Sequence, residues 1–121
     1  MIITEFLEAR IAEDETVARE ATTGPWTYQD YAHVGSYDFA HVFAPDPDDS
    51  SAVLGVSLGT LREDAAHIAR HDPARVLAEC AAKRAIIALD EYAEGSYWDT
   101  LATLAAVYAS HPDYRQEWAI G

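Results

Sequence analysis

The sequence has only one cysteine, Cys80, and no long apolar run. A single cysteine excludes a disulfide within the chain and any metal site built from several thiolates. Cys80 lies in an alanine-rich helical pattern, where cysteine packs as a small apolar residue. No stretch approaches the roughly 18 apolar residues of a membrane-spanning helix, and the N-terminal sequence becomes acidic too soon for a signal peptide. These absences favour the cytoplasm as the compartment.

Basic residues are scarce. There are 8 Lys and Arg against 21 Asp and Glu, for a net charge of −13. Binding to nucleic acid or to an anionic membrane needs clustered Lys and Arg. The sequence therefore predicts no direct nucleic-acid binding and no membrane binding. A solvated acidic surface, a basic partner and mimicry of a polyanion all fit this charge.

Templates for catalysis are missing as well. The chain has no glycine-rich phosphate loop and no G-x-S-x-G motif. The acidic loop predicted at 44–51 lacks the D-x-[DN]-x-[DN]-G pattern of a calcium loop. The sequence thus implies no cofactor and favours a non-enzymatic role.

The pattern of apolar residues predicts a helix, three strands and three more helices. The predicted helices cover 2–21, 61–71, 73–93 and 97–110, and the predicted strands cover 26–34, 37–43 and 52–58. The signals at helix ends include the capping box Thr60-x-x-Glu63 and the restart at Asp72-Pro73. Tyr114 and Trp118 predict one further helical turn. We therefore expect an α+β fold in a single domain, 1–121, with an N-terminal helix, a three-stranded antiparallel sheet and three helices packed on it.

Five of the eight basic residues fall between positions 62 and 84. The middle of this region is the junction of two predicted helices, residues 67–75 (HIARHDPAR), which we call the elbow. Free backbone amides at the start of the second helix would favour an anion there. We predict a partner-docking surface at the elbow, formed by His67, Arg70, His71, Asp72 and Arg75. The first helix is the alternative docking surface.

The elbow also offers a metal alternative. His67 and His71 are four residues apart, so they share one helix face at a spacing that metal ligands use. The zinc-protease motif H-E-x-x-H is absent because Ile68 follows His67. A metal-assisted hydrolase would need Asp72 or another residue as third ligand, and Arg70 disfavours a dication. Surface or capping histidines are the other interpretation.

Three segments carry a resemblance to a known family. EFLEARIAEDETVAREATTGPW, DAAHIARHDPARVLAECAAKRAII and YASHPDYRQEW resemble small uncharacterised actinobacterial and actinophage proteins, a family defined as a domain of unknown function. The similarity is weakest over 36–58. A fainter resemblance is to accessory proteins from the early region of lambdoid phages. Neither implies an activity, a cofactor or a catalytic residue; both imply a small phage or prophage product inside a bacterial host.

The leading hypothesis is therefore a small acidic accessory protein of phage or prophage type, acting as a non-enzymatic protein-binding module. Its partner would be a host or phage protein. The alternatives are the hydrolase with a His67, His71 and Asp72 site, a polyanion (DNA) mimic, and a homo-oligomer. Carboxylates cluster in the first helix and in the 46–49 loop rather than along an even track, which disfavours mimicry.

Overall fold

The computed structural model describes residues 2–34, 37–44, 62–89 and 97–119. Four helices and two strands lie in these ranges, followed by single 3₁₀ turns at Ala106–Tyr108 and Gln116–Trp118. The elements in chain order are α1 (Ile3–Glu20), β1 (Thr27–Val34), β2 (Tyr37–Phe43), α2 (Arg62–Arg70), α3 (Pro73–Leu89) and α4 (Trp98–Ala105).

The mixed helix and strand content confirms the α+β class, and all four predicted helices are present. Within the described residues the sheet has two antiparallel strands, and the three-strand sheet stays a prediction. The segment predicted as the third strand, 52–58, lies outside the described residues, as do residues 45–51 of the loop predicted at 44–51. The predicted helix at 97–110 tightens into a 3₁₀ turn after Ala105, a common way for a helix to end.

The chain divides into two compact units, and each is described by itself. The first unit comprises residues 1–16 and 78–121, and the second comprises residues 17–77. The unit boundaries fall within α1 and within α3. The predicted single domain 1–121 stays a prediction.

The second unit is built on the hairpin of β1 and β2. The strands pair antiparallel, from Thr27 opposite Phe43 to Val34 opposite Tyr37, with an irregularity between Asp30 and Ala32. Helix α2 packs against both strands. Because α2 presents small residues to the sheet, the two can approach closely: Val42 of β2 lies in a buried cluster with Ala65 and Ala69. Trp26 and Ile68 pack against the edge of this cluster.

The first unit has a core centred on Phe6. Spacing of three and four along α1 puts its apolar residues on one face, as an amphipathic helix requires. This face is buried together with residues from α3, α4 and the C-terminal turn. The buried side chains are Ile3, Phe6, Leu7, Ile11, Cys80, Ile87, Leu101, Ala102, Ala105 and Trp118.

Among the described residues, no helix is both long enough and apolar enough to cross a membrane.

Candidate functional site

Asp72 shapes the elbow. Its carboxylate is buried and accepts two backbone hydrogen bonds, from the N–H of Arg75 to Oδ1 at 2.9 Å and from the N–H of Trp26 to Oδ2 at 3.0 Å. The first bond is an N-cap on α3, which the Asp72-Pro73 pair in the sequence predicts. The second ties the elbow to the segment before β1. Asp72 therefore acts as a structural anchor and not as part of an exposed docking face.

This cap corrects one expectation. The backbone amides at the start of α3 were expected to be free to bind an anion. The Asp72 carboxylate already accepts the Arg75 amide. An acidic side chain in this position satisfies one of the amides at the helix end from within the chain.

The other four predicted docking residues are exposed. His67 and Arg70 lie in the last turn of α2, His71 follows it, and Arg75 lies in the first turn of α3. Arg70 makes no hydrogen bond or ion pair with any other described residue, whereas Arg84 and Arg115 each pair with a glutamate. The structure thus keeps a cationic side chain exposed at the elbow. Whether a partner docks there stays a prediction.

Asp72 is not available as the third ligand of the alternative metal site with His67 and His71. Both oxygens of Asp72 are engaged by backbone N–H groups, while His67 and His71 contact each other. In the part of the chain that the structure describes, no group of three or more His, Cys, Asp or Glu side chains is placed to hold a metal ion. The histidine pair by itself falls short of the three protein ligands that a catalytic zinc site uses.

A second cluster of polar residues lies in the first unit, and the sequence reasoning missed it. Glu13, Asp14 and Glu15 are three successive acidic residues of α1, and each has a partner. Glu13 pairs with Arg10 at 2.9 Å, and Glu15 accepts a two-pronged contact from Arg84, with the shortest distance 2.6 Å. Asp14 accepts a hydrogen bond from the Tyr108 hydroxyl at 3.1 Å.

Tyr108 links a cation to a carboxylate. Its hydroxyl accepts a hydrogen bond from Lys83 Nζ at 3.0 Å and donates one to Asp14. Burial raises the pKa of Tyr108, and this together with Asp14 outweighs the lowering by Lys83. Burial lowers the pKa of Lys83, but the hydrogen bond with Tyr108 and nearby charges raise it by more. Near neutral pH the phenol stays protonated and the amine stays charged, so neither is an activated base or nucleophile.

Cys80 is nearly fully buried, with 1% of its surface exposed. Burial raises the pKa of its thiol, and the charge of Asp14 raises it further. A thiol becomes reactive when its pKa is lowered and its sulfur is accessible. Cys80 has the opposite properties, and we interpret it as a packing residue.

We expect Cys80 to react with a disulfide reagent such as DTNB at least about tenfold more slowly in the native protein at pH 8 than in urea. The reason is that a buried thiol with a raised pKa supplies little accessible thiolate. The absorbance of the released thiolate measures both rates. Equal rates in the two conditions would contradict the buried placement.

The raised pKa values of Lys83 and Tyr108 also predict a loss of stability in alkali. A raised pKa contributes stability that is complete below the unfolded-state values, about 10 for Tyr and 10.4 for Lys, and is lost as pH rises through the folded values. Urea unfolding from about pH 8 to about pH 11 measures this fall. The fall should be smaller in Tyr108→Phe, which cannot titrate at that position. Equal slopes in the wild type and in Tyr108→Phe would rule out the linkage.

Arg10 and His111 form a further contact, 101 residues apart in sequence. Arg10 is 92% buried; its guanidinium lies 5.3 Å from the centre of the Phe6 ring and donates from Nη1 to His111 Nδ1 at 3.0 Å. The backbone N–H of Asp113 donates to the same Nδ1 at 3.0 Å. Both partners can only donate, so Nδ1 accepts and the proton of the neutral ring is on Nε2.

This geometry predicts the Nε2–H tautomer of His111, which long-range ¹⁵N–¹H NMR correlations detect. It also predicts that His111→Asn is more stable than His111→Gln by about 1 kcal/mol, because the Asn oxygen can occupy the place of Nδ1 and the Gln oxygen cannot. Both variants lose the ring contact with Phe6, so that loss cancels in the comparison. An Nδ1–H tautomer, or the reverse order of stability, would exclude the contact.

The fold and these clusters define a helix-rich α+β protein with two polar centres, the exposed elbow and the partly buried network around Tyr108. The chain belongs to DUF6221, a family of unknown function whose model matches residues 1–120. No curated protein and no solved structure matches the chain. The family match confirms the resemblance to a domain of unknown function. The actinobacterial or phage origin stays a prediction.

Proposed function

We propose that this protein is a small acidic accessory protein, of phage or prophage type, that binds a host or phage protein in the bacterial cytoplasm without catalysing a reaction. The docking surface is the elbow, with His67, Arg70, His71 and Arg75 in contact with the partner. Asp72 holds the surface in shape from beneath. The observation that carries the proposal is the exposed Arg70, which pairs with no described residue although the chain carries a net charge of −13.

The charge of the chain supports this choice of surface. An acidic partner would be repelled by most of an acidic protein, and a local cationic patch would then fix where it docks. The anchored shape of the elbow supports it too, because a surface that is ordered before binding loses less conformational entropy on docking.

The state of the reactive side chains supports a non-enzymatic role. Cys80, Lys83 and Tyr108 all have raised pKa values, which leave them in their unreactive forms near neutral pH. Asp14 and Glu15 are paired within the first unit and only partly exposed, which also disfavours a polyanion mimic, since such a mimic needs its carboxylates exposed.

A comparative pull-down from host lysate tests the docking surface. The wild type is compared with Arg70→Glu/Arg75→Glu and with Arg19→Glu/Arg115→Glu, by quantitative mass spectrometry. Each double variant makes the chain more acidic by four charges, so general repulsion is matched between them. We expect a protein that the wild type and the second variant recover equally and that the elbow variant loses by at least about tenfold. If both double variants recover the same proteins, the elbow is not the docking face. Equilibrium sedimentation of the wild type tests the homo-oligomer alternative.

A further inference from the structure

The two exposed histidines of the elbow are close enough to act together on one ligand. Their ring centres lie 4.4 Å apart and the ring planes are inclined by 37°. His71 Nδ1 lies 2.9 Å from the backbone carbonyl oxygen of His67. A carbonyl only accepts, so Nδ1 of His71 carries the proton and the lone pair of the neutral ring is on Nε2. Metal-binding histidines show this same arrangement, with the second ring nitrogen donating to a carbonyl.

His67 is available in the same way. Its side chain is exposed, and its ring nitrogens hydrogen-bond no other described residue. Its spacing of four from His71 places both rings on one face, as helix geometry requires. Two imidazoles with a usable nitrogen each therefore lie side by side at the end of α2.

We propose that His67 and His71 bind one late first-row divalent cation, Cu²⁺ or Ni²⁺, through one nitrogen of each ring, with water completing the coordination. The ring separation agrees with this class of ion. With metal–nitrogen distances of about 2.0–2.1 Å, imidazoles at a right angle have their ring centres about 4.5 Å apart, and at the tetrahedral angle about 5.2 Å apart. The observed 4.4 Å matches the right angle of square-planar or octahedral ions.

The charges around the pair also bear on a cation. Helix α2 ends at Arg70, and the negative end of its dipole lies beside the pair, where a cation is favoured. Glu63 stands one turn before His67 on the same face of α2 and adds a negative charge. Arg70 opposes binding, and Asp72 takes no part because its oxygens are engaged by backbone N–H groups. The site therefore has two protein ligands. The proposal does not rest on the proposed docking, although both histidines also lie on the docking surface.

Isothermal titration of the full-length protein with CuCl₂, NiCl₂ and ZnCl₂, in a buffer that does not coordinate metals, tests the proposal. We expect one ion per chain, with Cu²⁺ bound most tightly, as nitrogen ligands prefer. His67→Ala and His71→Ala should each weaken Cu²⁺ binding at least about tenfold, since each leaves a single ring. Both positions are exposed and alanine favours a helix, so these variants keep the fold, which circular dichroism verifies.

Two charge variants sharpen the test. Arg70→Gln removes the opposing charge and should bind Cu²⁺ several-fold more tightly, whereas Glu63→Gln should bind it more weakly. Both changes leave the two rings in place. Undiminished Cu²⁺ binding by His67→Ala/His71→Ala would overturn the site, and tighter binding of Zn²⁺ than of Cu²⁺ would overturn the right-angle geometry.

Discussion

Replacing Phe6 by alanine is expected to lower the free energy of unfolding by about 3–5 kcal/mol, the largest effect of any single substitution proposed for this chain. Phe6 has no exposed surface. Four ring side chains of the C-terminal region pack around it, with the nearest ring centre, that of Trp118, 4.9 Å away. The other three are Tyr108, His111 and Tyr114. Removing the ring leaves a cavity lined by aromatic groups that cannot collapse without losing their own contacts.

Two variants separate the role of the Phe6 ring from a general effect on α1. Phe6→Leu keeps much of the volume and should cost distinctly less than Phe6→Ala. Val17→Ala lies on the same helix but at a position that is 69% exposed, so its cost should be within about 0.5 kcal/mol. Urea unfolding measures all three. If Phe6→Ala unfolds like Val17→Ala, the aromatic core of the first unit is misplaced.

Asp72→Ala should lower the free energy of unfolding by about 2–4 kcal/mol, because it removes both hydrogen bonds that the Asp72 carboxylate accepts. Loss of an N-cap costs about 1 kcal/mol, and leaving the partly buried N–H of Trp26 without its partner adds about 1–3 kcal/mol. Urea unfolding measures the sum. Asp72→Asn keeps one oxygen but turns an amide nitrogen toward the other donor. Its free energy of unfolding should therefore fall by about half as much as that of Asp72→Ala.

Gly24 provides an independent check on this geometry. A Cβ at Gly24 would lie 2.7 Å from Asp72 Oδ2, closer than such atoms approach. Gly24→Ala should therefore cost about 1–3 kcal/mol in the wild type and much less in Asp72→Ala, where the clashing oxygen is gone. Costs that simply add in the double variant would show that the two residues do not touch.

The elements whose signals are local could be predicted from the sequence. Capping and periodicity placed the four helices to within a few residues, and Asp72-Pro73 placed the break between α2 and α3. The hairpin could be predicted because aromatic and β-branched residues lie on both sides of a turn signal. What Asp72 does beyond its cap could not be predicted, because its second partner, Trp26, lies 46 residues away.

The polar network in the first unit could not be predicted from the sequence for the same reason. Its contacts join Glu15 to Arg84, Asp14 to Tyr108 and Arg10 to His111, over 69, 94 and 101 residues. A local sequence pattern cannot distinguish a charged residue that faces water from one that pairs with a residue distant in the sequence. The one available signal was Arg10 on the apolar side of α1, four residues after Phe6: a charge in that position needs partners from elsewhere in the chain.

The bond between Asp72 and Trp26 has an optical consequence. Because the carboxylate that holds the elbow also holds the backbone of an indole-bearing residue, a ligand that displaces Asp72 changes the surroundings of that fluorophore. The Trp26 indole is itself tied by its N–H to the Thr22 carbonyl at 2.8 Å, so its emission depends on the same short segment. The difference in emission between the wild type and Trp26→Phe is thus a label-free readout of whether Asp72 keeps its place at the elbow.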